Sequence, residues 1–136
     1  MWYNLSENIE GVDHQMKNNV VTIIVKTLLN LGISPNTKGY HYLRDCILIC
    51  VTSESNLTVF SKDLYSKLAE NYHTTECSIE RAVRHAIKSG WYRHNEELAE
   101  VIFMNTLQSQ NDIPTNSVFI STISEWIKIN YTDLLK

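Results

Sequence analysis

Between Thr74 and Asn95 the apolar residues fall at Ile79, Ala82, Val83, Ala86, Ile87, Gly90 and Trp91, three and four apart. That spacing closes one stripe on an α-helix and none on a strand. A helix with a single stripe is marginal until other segments bury it, and the chain supplies them. Val20, Val21, Ile24, Val25 and Leu28, with Leu29 and Leu31, describe a helix with a broad buried side. It runs from about Asp13 to Gly32, a residue suited to the left-handed position after a helix. The β-branched run V-V-T-I-I-V could form a strand, but helix-compatible flanks and the glycine stop favour a helix.

The same periodicity places four further helices. Tyr40, Leu43, Ile47, Cys50 and Val51 line one side of a helix over about 37–52, with Lys38, His41, Arg44 and Asp45 expected largely on the other. A third spans about 58–72 with Leu64, Tyr65, Leu68, Ala69 and Tyr72 inward. Only a short link joins it to the helix described first, for which Thr75 is placed as the cap and Glu76 lies in the positive first turn. Together they make a variant helix-turn-helix over about 58–92. A fifth helix starts near Asn95 with Leu98, Val101, Ile102 and Phe103 inward, and a sixth follows Pro114-Thr115-Asn116-Ser117 with Phe119, Ile120, Ile123, Trp126 and Ile127 buried. The expected fold class is all-α: a six-helix domain over 13–136 behind an N-terminal arm at 1–12. Only four glycines and two prolines interrupt the chain, which fits that reading.

Several functions are disfavoured by what the chain lacks. The opening M-W-Y-N-L-S-E-N-I-E has no basic start or apolar run, and no segment approaches the ~18 apolar residues of a membrane span. Three cysteines on helical segments make no disulfide framework, so the expected compartment is the cytoplasm. Cys46 and Cys50 with His41, or His73, Cys77 and His85, lack the remaining ligand or orienting group that zinc or a catalytic nucleophile needs, so small buried thiols are the simpler reading of the first pair. No phosphate loop, H-E-x-x-H or G-x-S-x-G occurs. Neither an enzyme nor a bound cofactor or metal is expected.

What remains is the outward face of the Thr74–Asn95 helix. Ser78, Glu80, Arg81, Arg84, His85 and Lys88 share it, and the stretch carries +2 although the whole chain carries −3. A merely solvated face is the plain alternative. DNA recognition uses these residue types more fully: Arg forks onto guanine O6 and N7, Glu accepts from cytosine N4, and Lys or Arg meets phosphate. Ser78, Arg81 and His85 fall along one line, with Lys88 a turn further on and Arg84 beside it.

The run S-I-E-R-A-V-R-H-A-I from Ser78 to Ile87, preceded by Thr74-Thr75, closely resembles the recognition helix of the sporulation stage-zero response regulator, the master transcription factor of endospore-forming Firmicutes. Lys38-Gly39-Tyr40 with Tyr42-Leu43-Arg44, then Trp91, Arg93 and Asn95, then Pro114-Thr115-Asn116-Ser117 and Phe119, keep the order and spacing of its DNA-binding domain. The resemblance runs from about Val20 to the end of the chain. It implies a response-regulator effector domain of six helices that binds a short box of double-stranded DNA and self-associates there as a tandem pair. It further implies that Glu80 and Arg81 take part in base recognition, with Arg84 and His85 assisting. The residues before the first helix are too few for the family's phosphoacceptor receiver, as expected of an excised domain or a stand-alone relative. Ser78 stands where the family commonly has Arg, and Glu76-Cys77 replaces smaller residues, which weakens attraction to phosphate. The family's contact with the primary sigma factor of RNA polymerase lies around the fifth helix, and Glu96–Thr106 departs from the usual sequence there. Sequence-specific transcriptional regulation is the expected function. The alternative is a protein-interaction module that modulates a homologous regulator without strong DNA binding of its own.

Overall fold

One helix, α2 (Lys38–Thr52), runs through the middle of the molecule with the others laid around it. This computed structural model describes residues 14–52, 62–93, 96–103 and 112–131, and every regular element among them is helical. The others are α1 (His14–Asn30), α3 (Lys62–Asn71), α4 (Glu76–Trp91), α5 (Glu96–Phe103) and α6 (Asn116–Asn130). The all-α expectation therefore holds. The expected arm at 1–12 and the first turn of the third helix at 58–61 lie outside the described residues. Among those described, no helix is long and apolar enough to cross a membrane.

Contact with α1, α3, α4 and α6 buries α2 almost all round, from Gly39 and Tyr40 through Tyr42 to Val51. This corrects the expectation that Arg44 and Asp45 face outward. Asp45 is wholly buried and Arg44 nearly so, because the amphipathic reading assumes one wet face and a central helix has none. Burial of two ionisable groups is tolerable only if they are paired, and Arg44 Nε lies 3.3 Å from Asp45 Oδ1. Cys46 and Cys50 are buried on the same helix as small apolar residues, and burial pushes both thiols above their ordinary range.

At the end of α1 the N–H of Ile33 reaches Leu28 O at 3.0 Å and that of Gly32 reaches Leu29 O at 3.1 Å. This is a Schellman closure with Gly32 in the left-handed region at φ 86°. The stripe of α1 is narrower than expected: Val20, Ile24 and Leu28 are buried, whereas Leu29 is 46% exposed. On α5, Ala99, Ile102 and Phe103 face the core and Val101 is 58% exposed. This eight-residue helix packs mainly against α6, so only one narrow side is covered. Trp91, Phe103 and Phe119 join α4, α5 and α6 in one aromatic cluster, with Trp91 and Phe103 edge-on at 5.4 Å.

Candidate nucleic-acid interface

The seat of α4 is built from main chain. Ile79, Val83, Ala86, Ile87, Gly90 and Trp91 form its buried stripe, as the periodicity predicts, and Ala82 is half-buried beside them. Gly39 of α2 lies so close that a Cβ there would stand 2.3 Å from Ala82 O and 2.6 Å from Ala86 Cβ. Near the other end, a Cβ on Gly90 would meet Gly32 O at 2.2 Å, and one on Gly32 would meet Gly90 O at 2.2 Å. The backbones touch at both places, so α4 is located by packing that no side chain can flex away.

The entry to α4 is equally defined. Tyr72, His73 and Thr74 end α3 in a second Schellman closure, with Thr74 N–H to Ala69 O at 2.9 Å and His73 N–H to Glu70 O at 3.4 Å. His73 itself is left-handed at φ 53°. Thr75 then caps α4 as expected: its hydroxyl accepts from Ser78 N–H at 3.1 Å and donates to Ser78 Oγ at 2.9 Å. Glu76, in the first turn, accepts from the Ser66 hydroxyl and so ties α3 to α4. Its negative charge suits the positive end of the helix.

On this seat Ser78, Glu80, Arg81, His85 and Lys88 are exposed along α4. Arg84 is only half-buried and reaches elsewhere, Nη1 donating to Pro114 O at 3.4 Å. From the other direction Asn116 Nδ2 donates to Glu80 O at 3.0 Å. These two bonds hold the start of α6 beside the exposed face. Between them opens a groove of about 520 Å³, lined by Cys77, Glu80, Arg81 and Arg84 on one side and by Thr115, Asn116 and Ser117 on the other. Thr115 caps α6 by accepting from Val118 N–H at 3.2 Å.

The groove adds Cys77, Thr115, Asn116 and Ser117 to the residues foreseen from sequence. Pro114-Thr115-Asn116-Ser117 reads as a helix start in sequence, but nothing local says that it lies against a helix some thirty residues earlier. Chemically the face offers an exposed guanidinium, an imidazole and an ammonium along one line, with the Glu80 carboxylate acceptor and a second guanidinium beside them at the groove. That set suits hydrogen-bonded recognition of an anionic, base-bearing partner.

The family model described as "Sporulation initiation factor Spo0A C terminal" matches residues 24–127. The matched span holds α2 to α5 entire, α1 from Ile24 onward, most of α6, and every residue of the exposed face. The family is one of DNA-binding transcription-factor domains rather than of enzymes. With most of its length in that match and an all-helical fold, the chain belongs to the family of the C-terminal, DNA-binding domain of the sporulation initiation factor Spo0A.

Proposed function

We propose that the chain regulates transcription by reading a specific DNA sequence, with α4 laid in the major groove as the second helix of a helix-turn-helix. The observation that carries this reading is the exposed Glu80-Arg81 pair on a helix whose position is set by backbone contact at Gly39 and at Gly32 with Gly90. Base reading needs that rigidity, because a bidentate hydrogen bond tolerates little displacement. Arg81 forks onto guanine O6 and N7 and Glu80 accepts from cytosine N4. Ser78 and His85 continue the same line, and Lys88, toward the end of the helix, meets the phosphate backbone. Arg84 holds α6 in place while its guanidinium lines the groove. The partner is double-stranded DNA, bound by the helical unit over 13–136 acting as a tandem pair. The exposed Val101 gives α5 an apolar position for the sigma-factor contact that the family resemblance implies there.

Replacing Arg81 with Ala tests the assignment. Specific affinity should fall by about 1–3 kcal/mol while helical circular dichroism is unchanged. Binding to random duplex should weaken steeply with salt in both proteins, by about one counterion less in the variant if Arg81 also neutralises phosphate. Equal affinity of wild type and variant for a selected operator would remove Arg81 from the interface. Wild-type binding with no salt dependence would favour an interaction module instead.

A further inference from the structure

Asp45 is the most deeply buried ionisable carboxyl among the described residues, and it does not lie in the reading face. Arg44 braces it from the same helix, Nε to Oδ1 at 3.3 Å. From the end of α3 the Tyr72 hydroxyl donates to Oδ2. The Tyr72 ring also stands edge-on to Tyr42, centroids 4.9 Å apart and planes at 85°. The Arg44 guanidinium in turn lies 5.9 Å from the centroid of the Tyr40 ring. A buried ion pair is weak as a source of stability, since apolar residues fill such a place at less cost. What it supplies is direction: a carboxylate with one oxygen committed to Arg44 offers the other at a fixed point.

That point is the turn before α4. Tyr72 immediately precedes the left-handed His73, and Thr75, the cap of α4, follows three residues after Tyr72. The central helix α2 therefore holds the reading helix in two places. Gly39 beneath Ala82 and Ala86 sets its depth, and Asp45 holds the residue from which its turn departs. We propose that Asp45 is a positioning residue for DNA reading: braced by Arg44, its carboxylate grips Tyr72 and fixes where α4 begins. This rests on the DNA-reading role of α4.

The same geometry makes the grip sensitive to acid. Burial pushes the Asp45 carboxyl up to about 6, against the opposing pull of the Tyr72 hydrogen bond and of Arg44. Among the described residues the ionisable groups that meet it are Arg44 and the neighbouring Cys46 thiol on α2 and Tyr72 from α3. Protonation removes the attraction of Arg44 and the charged acceptor for Tyr72, so discrimination between DNA sequences weakens as pH falls through about 6.

The test compares wild type, Asp45→Asn and Tyr72→Phe, each first shown by circular dichroism to keep its helices. Fluorescence anisotropy gives the Kd of each for a short duplex recovered by wild type from a random pool and for a random duplex of the same length, below and above pH 6. The ratio of the two Kd values should fall about tenfold in both variants, the equivalent of one misaligned base contact. Affinity for random duplex should stay within about twofold, because phosphate contacts tolerate small displacements. The fall of the ratio below pH 6 should be larger in wild type than in Asp45→Asn, which keeps His85 on the reading face but has no carboxyl at this point. Variants with the wild-type ratio, an equal loss on both duplexes, or a pH profile shared by wild type and Asp45→Asn would each overturn the positioning role. Wild type showing no preference for its own selected duplex would overturn the DNA reading itself, and the positioning role with it.

Discussion

Gly39→Ala adds one methyl group where α2 and α4 touch. The new Cβ would stand 2.3 Å from Ala82 O and 2.6 Å from Ala86 Cβ, against the ~3.5–4.0 Å at which carbon atoms rest comfortably. The first obstacle is a helix carbonyl and the second a Cβ, and neither can rotate away. Relief requires the helices to part by about 1 Å, which forfeits up to roughly half of the dispersion attraction along the opened seam. Overpacking of this kind costs about 1–3 kcal/mol. Ala in place of Gly returns at most ~1 kcal/mol of helix propensity, less so near close to a helix start. The net expectation is a loss of about 1–2 kcal/mol, read as a lower urea midpoint at unchanged slope. Lys38→Ala, one residue earlier and exposed, should be close to neutral and serves as the control. Because α4 moves with the seam, Gly39→Ala should also lose preference for a selected duplex while retaining affinity for random DNA. A Gly39→Ala protein as stable as wild type, or more so, would show that propensity outweighs contact and that the helices do not meet backbone to backbone.

Two further substitutions probe the turn and its anchor. His73→Gly should stabilise the protein by about 0.5–1 kcal/mol in urea melts, because glycine occupies the left-handed position without the Cβ penalty although the unfolded chain gains freedom; destabilisation would mean that the imidazole makes a contact worth more than that strain. For Asp45 the folded carboxyl at about 6 lies above the ordinary 3.8, so burial favours the protonated form. Wild-type stability relative to Asp45→Asn should therefore be greatest below about pH 4 and decline by about 3 kcal/mol as pH rises through and beyond 6. Chemical melts across that range would show a constant difference if the carboxyl carried no burial penalty.

Most of the frame was legible in the residue pattern because it depends on local signals. The stripe on α4, the Gly32 stop, the Thr75 cap and the start of α6 at Pro114–Ser117 each follow from spacing or from the chemistry of a helix end. Arg44 and Asp45 were misplaced because their burial depends on four neighbouring helices, which a two-sided view of one helix cannot represent. Leu29 and Val101 fail in the opposite sense: their apolar character fits a stripe, but the neighbouring helix does not extend over them. The reading face itself was legible as an exposed row on α4, yet the diversion of Arg84 to Pro114 and the groove beside Asn116 were not. Those arise from the meeting of distant segments, and the sequence announces the ends of helices far better than their neighbours.

The paired glycines at 32 and 90 carry a consequence for how such a protein can change over time. A seat made of main chain has no side chain through which its fit can be adjusted, so it is either kept or lost. The outward residues of α4 take no part in that seat. Exchanging Ser78 or His85 can therefore alter which partner atoms are recognised without altering where the helix stands. Scaffold and recognition become separable inheritances: one nearly closed to variation, the other open to it, within the same sixteen-residue helix.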